Sequence, residues 1–387
     1  MSGFDIFRNL AEDRLSSITA QGRLRTLRTL PHPEFHPSEP PSVIDLTHND
    51  YLGFRYDAAF QSRALEAARQ WPMGAGASRL LGGEHRIYED LETAFSLWKG
   101  AEASLYFASG YAANETLMSV LALCDAEFFS DSLNHASLID GMRLARIRPE
   151  FKHIFRHNDL EDLERKLERS TQTAKVVITE SLFSMDGDEA PLKALEALCQ
   201  RYQTLLVVDE AHALGVYGPD GSGLISAHKL NPDTVISINP CGKAMAAGGA
   251  LISGPSWLRR LLINTGRGFI YSTGASPWVA AGLLANLQTI KEAQARRAHL
   301  HALSKRVRRA LQELGYDTGM SSTHIIPIIV GSEDRSLQLE RALADRDIRA
   351  RAIRPPTVPE RLCRLRLSLH AALSDVEPLL SALKDIS

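Results

Sequence analysis

The sequence predicts an α/β fold, a mostly parallel central sheet with crossover helices, followed by a smaller α+β domain at the C-terminus. Three observations carry this. From about residue 46 to 285, short apolar runs alternate with helical patterns, as parallel strands joined by crossovers require. Within that region Leu205-Leu206-Val207-Val208 is apolar without alternation, which suits a strand buried on both faces. From about residue 286 the pattern changes to a long amphipathic helix and then three well-separated strand-like runs.

Taken in order, residues 1 to 45 begin as a helical stretch and end in a Pro-rich connector, Pro31 to Pro41. The 46–285 domain has strands at Ser104–Phe107, Glu127–Ser130, His153–Phe155, Lys175–Thr179, Leu205–Val208, Thr234–Ile238 and Ala250–Ser253. Helical patterns lie between them, among them Ile87–Trp98, Asn114–Leu123 and Leu192–Tyr202. The 286–387 domain adds strands at Ile325–Val330, Ile348–Ile353 and Arg364–Leu369.

Composition narrows the function classes. A chain of 387 residues exceeds the usual single domain, and 44% hydrophobic with 23% charged residues is ordinary for a soluble globular protein. A net charge of −2 gives no overall attraction to nucleic acid or anionic lipid. Cys124, Cys199, Cys241 and Cys363 show neither CxxC nor metal-ligand spacing, which suits a reducing compartment and no metal site. The first ten residues have no apolar signal core and no run reaches membrane-span length, so a cytoplasmic location is expected.

Chemistry concentrates after the predicted strands. Asp209 and Glu210 end the 205–208 run, at the strand edge where open α/β sheets bind ligands. Asp209 is placed to hold a positive charge, and Lys243, after the 234–238 strand, to form a Schiff base. A pyridoxal phosphate site needs this pair. Alone, the pair reads more readily as a solvated strand end and a surface lysine. The glycine-rich stretch Gly74 to Gly83 lacks the dinucleotide pattern, since Arg79 holds the third glycine position. Lys243 lacks the P-loop pattern, since Ala244 follows it. Ser109 to Asn114 (SGYAAN) follows a strand and opens a helix, a backbone anion site at Gly110 and Tyr111 or an ordinary turn. His135 at another strand end is placed to stack on a planar ring, or to cap. Ser184, His212, Ser272 and Thr273 are candidate donors to a bound group, each readable as a loop residue. Prolines around Arg354 restrict its backbone, so its guanidinium is a candidate for pairing with a carboxylate.

The series is more specific than its members: NDYLGF (49–54), GAGASRLLGG (74–83), ASGYAAN (108–114), DSLNHASLIDG (131–141), ESLFSMDGD (180–188), VVDEAHALGVYG (207–218), CGKA (241–244), YSTGASP (271–277) and IRPPTVP (353–359). In this order it resembles the α-oxoamine synthases, pyridoxal phosphate enzymes of the fold-type I aminotransferase class, over about residues 45 to 370. The endings IIPIIVG (325–331), AIRPPTVP (352–359) and RLRLSL (364–369) are most similar to the member that condenses L-alanine with a pimeloyl thioester in biotin synthesis. Sister members join glycine to acetyl-CoA or succinyl-CoA, or serine to a long-chain acyl-CoA.

The resemblance implies roles. Lys243 would carry the cofactor and move the α-proton, Asp209 would pair with the pyridinium nitrogen, and His135 would stack on the ring. His212 and Ser184 would bond the phenolic oxygen. Gly110 and Tyr111 would lie at the phosphate, with Ser272 and Thr273 reaching it from the neighbouring subunit of a homodimer. Asn49 and Arg354 would hold the amino-acid carboxylate, Thr357 would line the acyl side, and Arg25 would bind substrate. The acyl group would arrive on coenzyme A or an acyl carrier protein. Two positions depart from the family pattern: Pro240 stands where a phosphate-binding hydroxyl residue is usual, and Tyr88 where histidine is usual.

Overall fold

The computed structural model describes residues 2–27 and 43–386. Chain contacts divide it into two units, Met1–Ser42 and Val43–Ser387. In the first, a helix spans Gly3–Ala20, started by a reciprocal cap: the Asp5 N–H donates to Ser2 Oγ (3.3 Å) and the Ser2 N–H to Asp5 Oδ2 (2.9 Å). Arg25 lies in this unit, past the helix. The Pro-rich connector expected at 31–41 lies outside the described residues.

The second unit is built on a seven-stranded sheet: β1 (Ala103–Phe107), β2 (Glu127–Asp131), β3 (Lys152–Phe155), β4 (Lys175–Glu180), β5 (Leu205–Asp209), β6 (Val235–Pro240) and β7 (Ala250–Gly254). The spatial order is β1-β7-β6-β5-β4-β2-β3; β2 to β6 pair in parallel and β7 runs antiparallel to both neighbours. Each predicted strand is present, shifted by a residue or two at its ends. The unbroken apolar run of β5 has its reason here. Leu206 and Val208 enter one apolar cluster while Val207 enters the other, on opposite faces of the sheet. The helix Gly110–Ala122 covers the second face through Leu117, Val120 and Leu121.

The end of the chain forms a three-stranded antiparallel sheet, β8 (Ile325–Gly331), β9 (Arg351–Ile353) and β10 (Cys363–Ser368), in the order β9-β10-β8. Two expectations need correction. The strand predicted over Ile348–Ile353 is split: Ile348–Arg349 pairs in parallel with Ile44–Asp45, and only Arg351–Ile353 joins β10. The long helix predicted from 286 is two helices, Pro277–Lys291 and Gln294–Glu313. The buried Arg297 guanidinium makes the break tenable, donating to the Ile290 and Lys291 carbonyls (2.7 Å each) at the end of the first helix.

Strand β10 alternates strictly and is buried on both faces. Leu365 and Leu367 join the main core, while Arg364 and Arg366 hold the loop after β4. Arg364 donates to the Met185 carbonyl (3.1 Å) and to Asp186 (2.5 Å), and Arg366 to the Ser184 carbonyl (2.5 Å).

Candidate active site

The parallel strands β2, β4, β5 and β6 end on one edge of the sheet, and the loops leaving that edge carry His135, Ser184, His212 and Lys243. Asp209 is the last residue of β5 and is buried; its Oδ2 accepts from Asn114 Nδ2 (2.9 Å) and its Oδ1 from the Ala211 N–H (2.9 Å). Asn114 reaches it from the first turns of the helix Gly110–Ala122 and also donates to Ser137 Oγ (2.8 Å). That hydroxyl lies 2.7 Å from His135 Nδ1, so the imidazole that caps the helix Ala136–Leu144 is oriented while its ring stays exposed.

Lys243 Nζ sits 2.9 Å from His212 Nε2, and His212 Nδ1 sits 2.6 Å from the Tyr51 hydroxyl. Burial pulls the Lys243 amine down to about 8, opposed by Asp209 and Glu180 and assisted by Arg366. Burial, then Lys243 and Arg366, holds His212 well below the usual histidine range, so its imidazole is neutral. Asn49 and Lys243 line one cavity of about 300 Å³ with His48, Asp50 and Arg55. Asn49 Oδ1 accepts from Arg366 Nη1 (3.0 Å) and from the Tyr51 hydroxyl (3.1 Å).

Other predicted residues have their own surroundings. Gly110 and Tyr111 open the helix Gly110–Ala122, whose N-cap Ser109 accepts from the Ala112 N–H (3.1 Å). The Tyr111 hydroxyl donates to Asp140 (2.5 Å). Ser272 and Thr273 share a small cavity with Ala108 and Ala112 of the same chain. Arg354 pairs with Glu333 (3.4 Å), and exposed Thr357 donates its N–H to the Arg354 carbonyl (3.0 Å). Pro240 packs on the start of the helix Gly110–Ala122; a Cβ added at Gly110 would come within 2.9 Å of Pro240 Cγ. Cys241 is buried with its thiol turned to the Asn239 carbonyl (3.5 Å). Tyr88 donates its hydroxyl to the Ala275 carbonyl, under the Arg79 guanidinium at 4.7 Å.

Sequence reading missed Glu180, Asn114, Tyr51 and Arg366. Glu180 is buried at the end of β4, directly opposite Asp209 in the register. Burial, then the neighbouring Asp209 charge, pushes its carboxyl well above the usual range, against the His135 N–H that bonds it. The legible signal for Arg366 was the alternation in RLRLSL, which puts arginine on a face of a strand whose other face is leucine.

These residues fit pyridoxal phosphate. The site offers an acidic partner with two donors, a lysine amine, an exposed imidazole face, and a helix start whose backbone N–H groups suit an anion. A helix-flanked parallel sheet with lysine and aspartate at its carboxyl edge defines a fold-type I pyridoxal-phosphate-dependent transferase. The chain belongs to the class I and II aminotransferase family, whose model matches residues 41–383.

Within that family it groups with the α-oxoamine synthases. It is 39% identical over 378 residues to 8-amino-7-oxononanoate synthase of Anaeromyxobacter dehalogenans (95% of this chain, 93% of that one). It is 41% identical over 355 residues to the synthase of that name from Gluconacetobacter diazotrophicus (89% and 88%). Among solved structures it is similar to Sphingomonas wittichii serine palmitoyltransferase, with a TM-score of 0.85, 25% identity, and coverage of 100% of this chain and 98% of that one.

Proposed function

We propose that this protein condenses L-alanine with a pimeloyl thioester, carried on coenzyme A or an acyl carrier protein, with loss of carbon dioxide, to give 8-amino-7-oxononanoate. The observation that carries this reading is the convergence of Lys243, Asp209, His212 and His135 on one sheet edge, in a chain about 40% identical to synthases of that name. Pyridoxal phosphate, when bound, supplies the electron sink that accepts the carbanion charge of the amino acid.

The chain's own residues do the rest. Asp209, anchored by two N–H donors, holds the positive charge of the cofactor ring nitrogen. Glu180 stays neutral beside it, so the site carries one carboxylate rather than two repelling ones. Lys243 would hold the cofactor and, once released, would serve as the base for the α-proton, a task suited to an amine near 8. His135 presents its ring face, His212 and Ser184 serve the phenolic oxygen, and Gly110 with Tyr111 serves the phosphate. Asn49 and Arg354 would hold the substrate carboxylate, with Arg366 bracing Asn49, and Thr357 would line the acyl side.

Two adjacent loops, joined by the Gly274 N–H donating to the Ala77 carbonyl (3.0 Å), expose Met73, Leu80, Leu81 and Tyr271. This apolar surface beside Ser272 and Thr273 supports a homodimer that completes the phosphate end. Among the described residues no helix is long and apolar enough to cross a membrane, and we assign the enzyme to the cytoplasm.

The test is turnover with a panel of amino acids and acyl thioesters. L-Alanine with a pimeloyl thioester is expected to be the preferred pair, and Lys243→Ala to lose both turnover and the visible absorbance of bound cofactor. Preference for glycine or serine with another acyl group moves the assignment to a sister reaction. Wild-type turnover in the lysine variant refutes the site.

A further inference from the structure

The Tyr51 hydroxyl, fully buried, has one proton and two acceptors within reach. His212 Nδ1 lies at 2.6 Å and Asn49 Oδ1 at 3.1 Å, while Arg366 Nη2 donates to the same oxygen from 3.4 Å. On the far side of the imidazole, Nε2 meets Lys243 Nζ at 2.9 Å. A neutral imidazole donates from one nitrogen and accepts at the other, so what Tyr51 does at Nδ1 decides what Lys243 meets at Nε2. We propose that Tyr51 is a positioning residue whose hydroxyl donates to Asn49 in one state and to His212 in the other, allowing His212 to accept from Lys243 in the first and to donate to it in the second.

The two states balance. With Lys243 an ammonium, it donates to Nε2, Nδ1–H donates to the Tyr51 oxygen, and the Tyr51 proton goes to Asn49. When Lys243 loses its proton, that proton passes to Nε2 and the Nδ1 proton passes to the Tyr51 oxygen. The original Tyr51 proton, which Asn49 Oδ1 had accepted as a hydrogen bond, is taken up by solvent water in the cavity that Asn49 and Lys243 both line. Tyr51 ends with one proton, turned toward Nδ1, and His212 presents Nε2–H to its neighbour. Both states pair the two ring nitrogens of His212, which a phenylalanine at 51 cannot do: Nδ1–H would then lose the Tyr51 acceptor, a costly defect in a buried site. The charged and titratable groups around the relay are Asp209 of β5, Glu180 of β4, Arg366 of β10, and His135 and His324 beside the imidazole.

The proposal rests on Lys243 being the amine that takes the cofactor. The experiment measures the rate at which Lys243 of the apoprotein is captured by pyridoxal phosphate, trapped with borohydride and quantified by peptide mass spectrometry, from about pH 6 to about pH 10. In Tyr51→Phe the ammonium loses its paired state, and the midpoint is expected about one pH unit lower than in the wild type. In a His212→Gln background the same Tyr51 change is expected to move nothing. An unmoved midpoint in Tyr51→Phe, or an equal shift in the His212→Gln background, overturns the relay. Absence of capture in the wild type defeats the proposed function instead. If Tyr51→Phe does not fold, histidine ¹⁵N resonances of the wild-type apoprotein decide: His212 should pass from Nδ1–H to Nε2–H as Lys243 titrates, and a single tautomer throughout overturns the proposal.

Discussion

Glu180 and Asp209 face each other at the carboxyl ends of adjacent parallel strands, both buried, and only Asp209 has a donor for each oxygen. Among the described residues, Glu180 Oε1 has no hydrogen-bond partner. Two buried carboxyls so placed cannot both ionise. Burial, then the neighbouring Asp209 charge, pushes the Glu180 carboxyl well above the usual range, which leaves the proton on Glu180.

Glu180→Gln is therefore expected to preserve turnover and to raise stability in a pH-dependent way. A carboxyl whose folded pKa is raised stabilises the fold fully below its unfolded pKa and loses that contribution as pH rises toward the folded one. Thermal melts should show the glutamine variant gaining on the wild type as pH rises above about 4.5, with the gap closing near about pH 4. A wild type that instead gains on the variant as pH rises would assign the charge the other way.

Asn114→Ala removes one of the two Asp209 donors and the amide that holds Ser137 under His135. Losing a charge-assisted hydrogen bond costs about 1.5–3 kcal/mol, so kcat should fall by roughly tenfold or more with the amino-acid KM little changed. Steady-state kinetics checks this, and a pure KM effect would place Asn114 on the substrate side.

Arg366→Lys keeps the charge but loses the fork that serves Ser184, Asn49 and Tyr51 together. The expected outcome is a rise of about tenfold or more in the KM for the amino acid, since Asn49 loses its orienting donor. Unchanged KM with reduced stability alone would make the arginine a purely structural clamp.

Pro240→Ser restores a hydroxyl at the strand end beside the start of the helix Gly110–Ala122, where proline offers neither hydroxyl nor N–H. Cofactor should dissociate about tenfold more slowly, the scale of one hydrogen bond to an anion. Dialysis against buffer, followed by visible absorbance, measures it.

Much of the architecture was legible because it is written in local periodicity. Leu205 to Val208 had to be a doubly covered strand, and a strand ending in Asp209 put an acid at the ligand-binding edge. The misread segments are those whose ends depend on distant partners. Ile348–Ile353 divides because Ile44 and Asp45 take its first two residues. The helix after 286 breaks where Arg297 can satisfy two carbonyls.

The site divides in the same way. Lys243, Asp209, His135 and His212 each lie just after a predicted strand, so sequence alone determined their common edge, and the motif series suggested the chemistry proposed for them. Only the tertiary structure decided which carboxyl is charged, which arginine braces Asn49, and that Tyr51 touches His212 across 161 positions of chain. Those are properties of burial and of hydrogen bonds between residues far apart in the chain, and local sequence pattern carries no record of them.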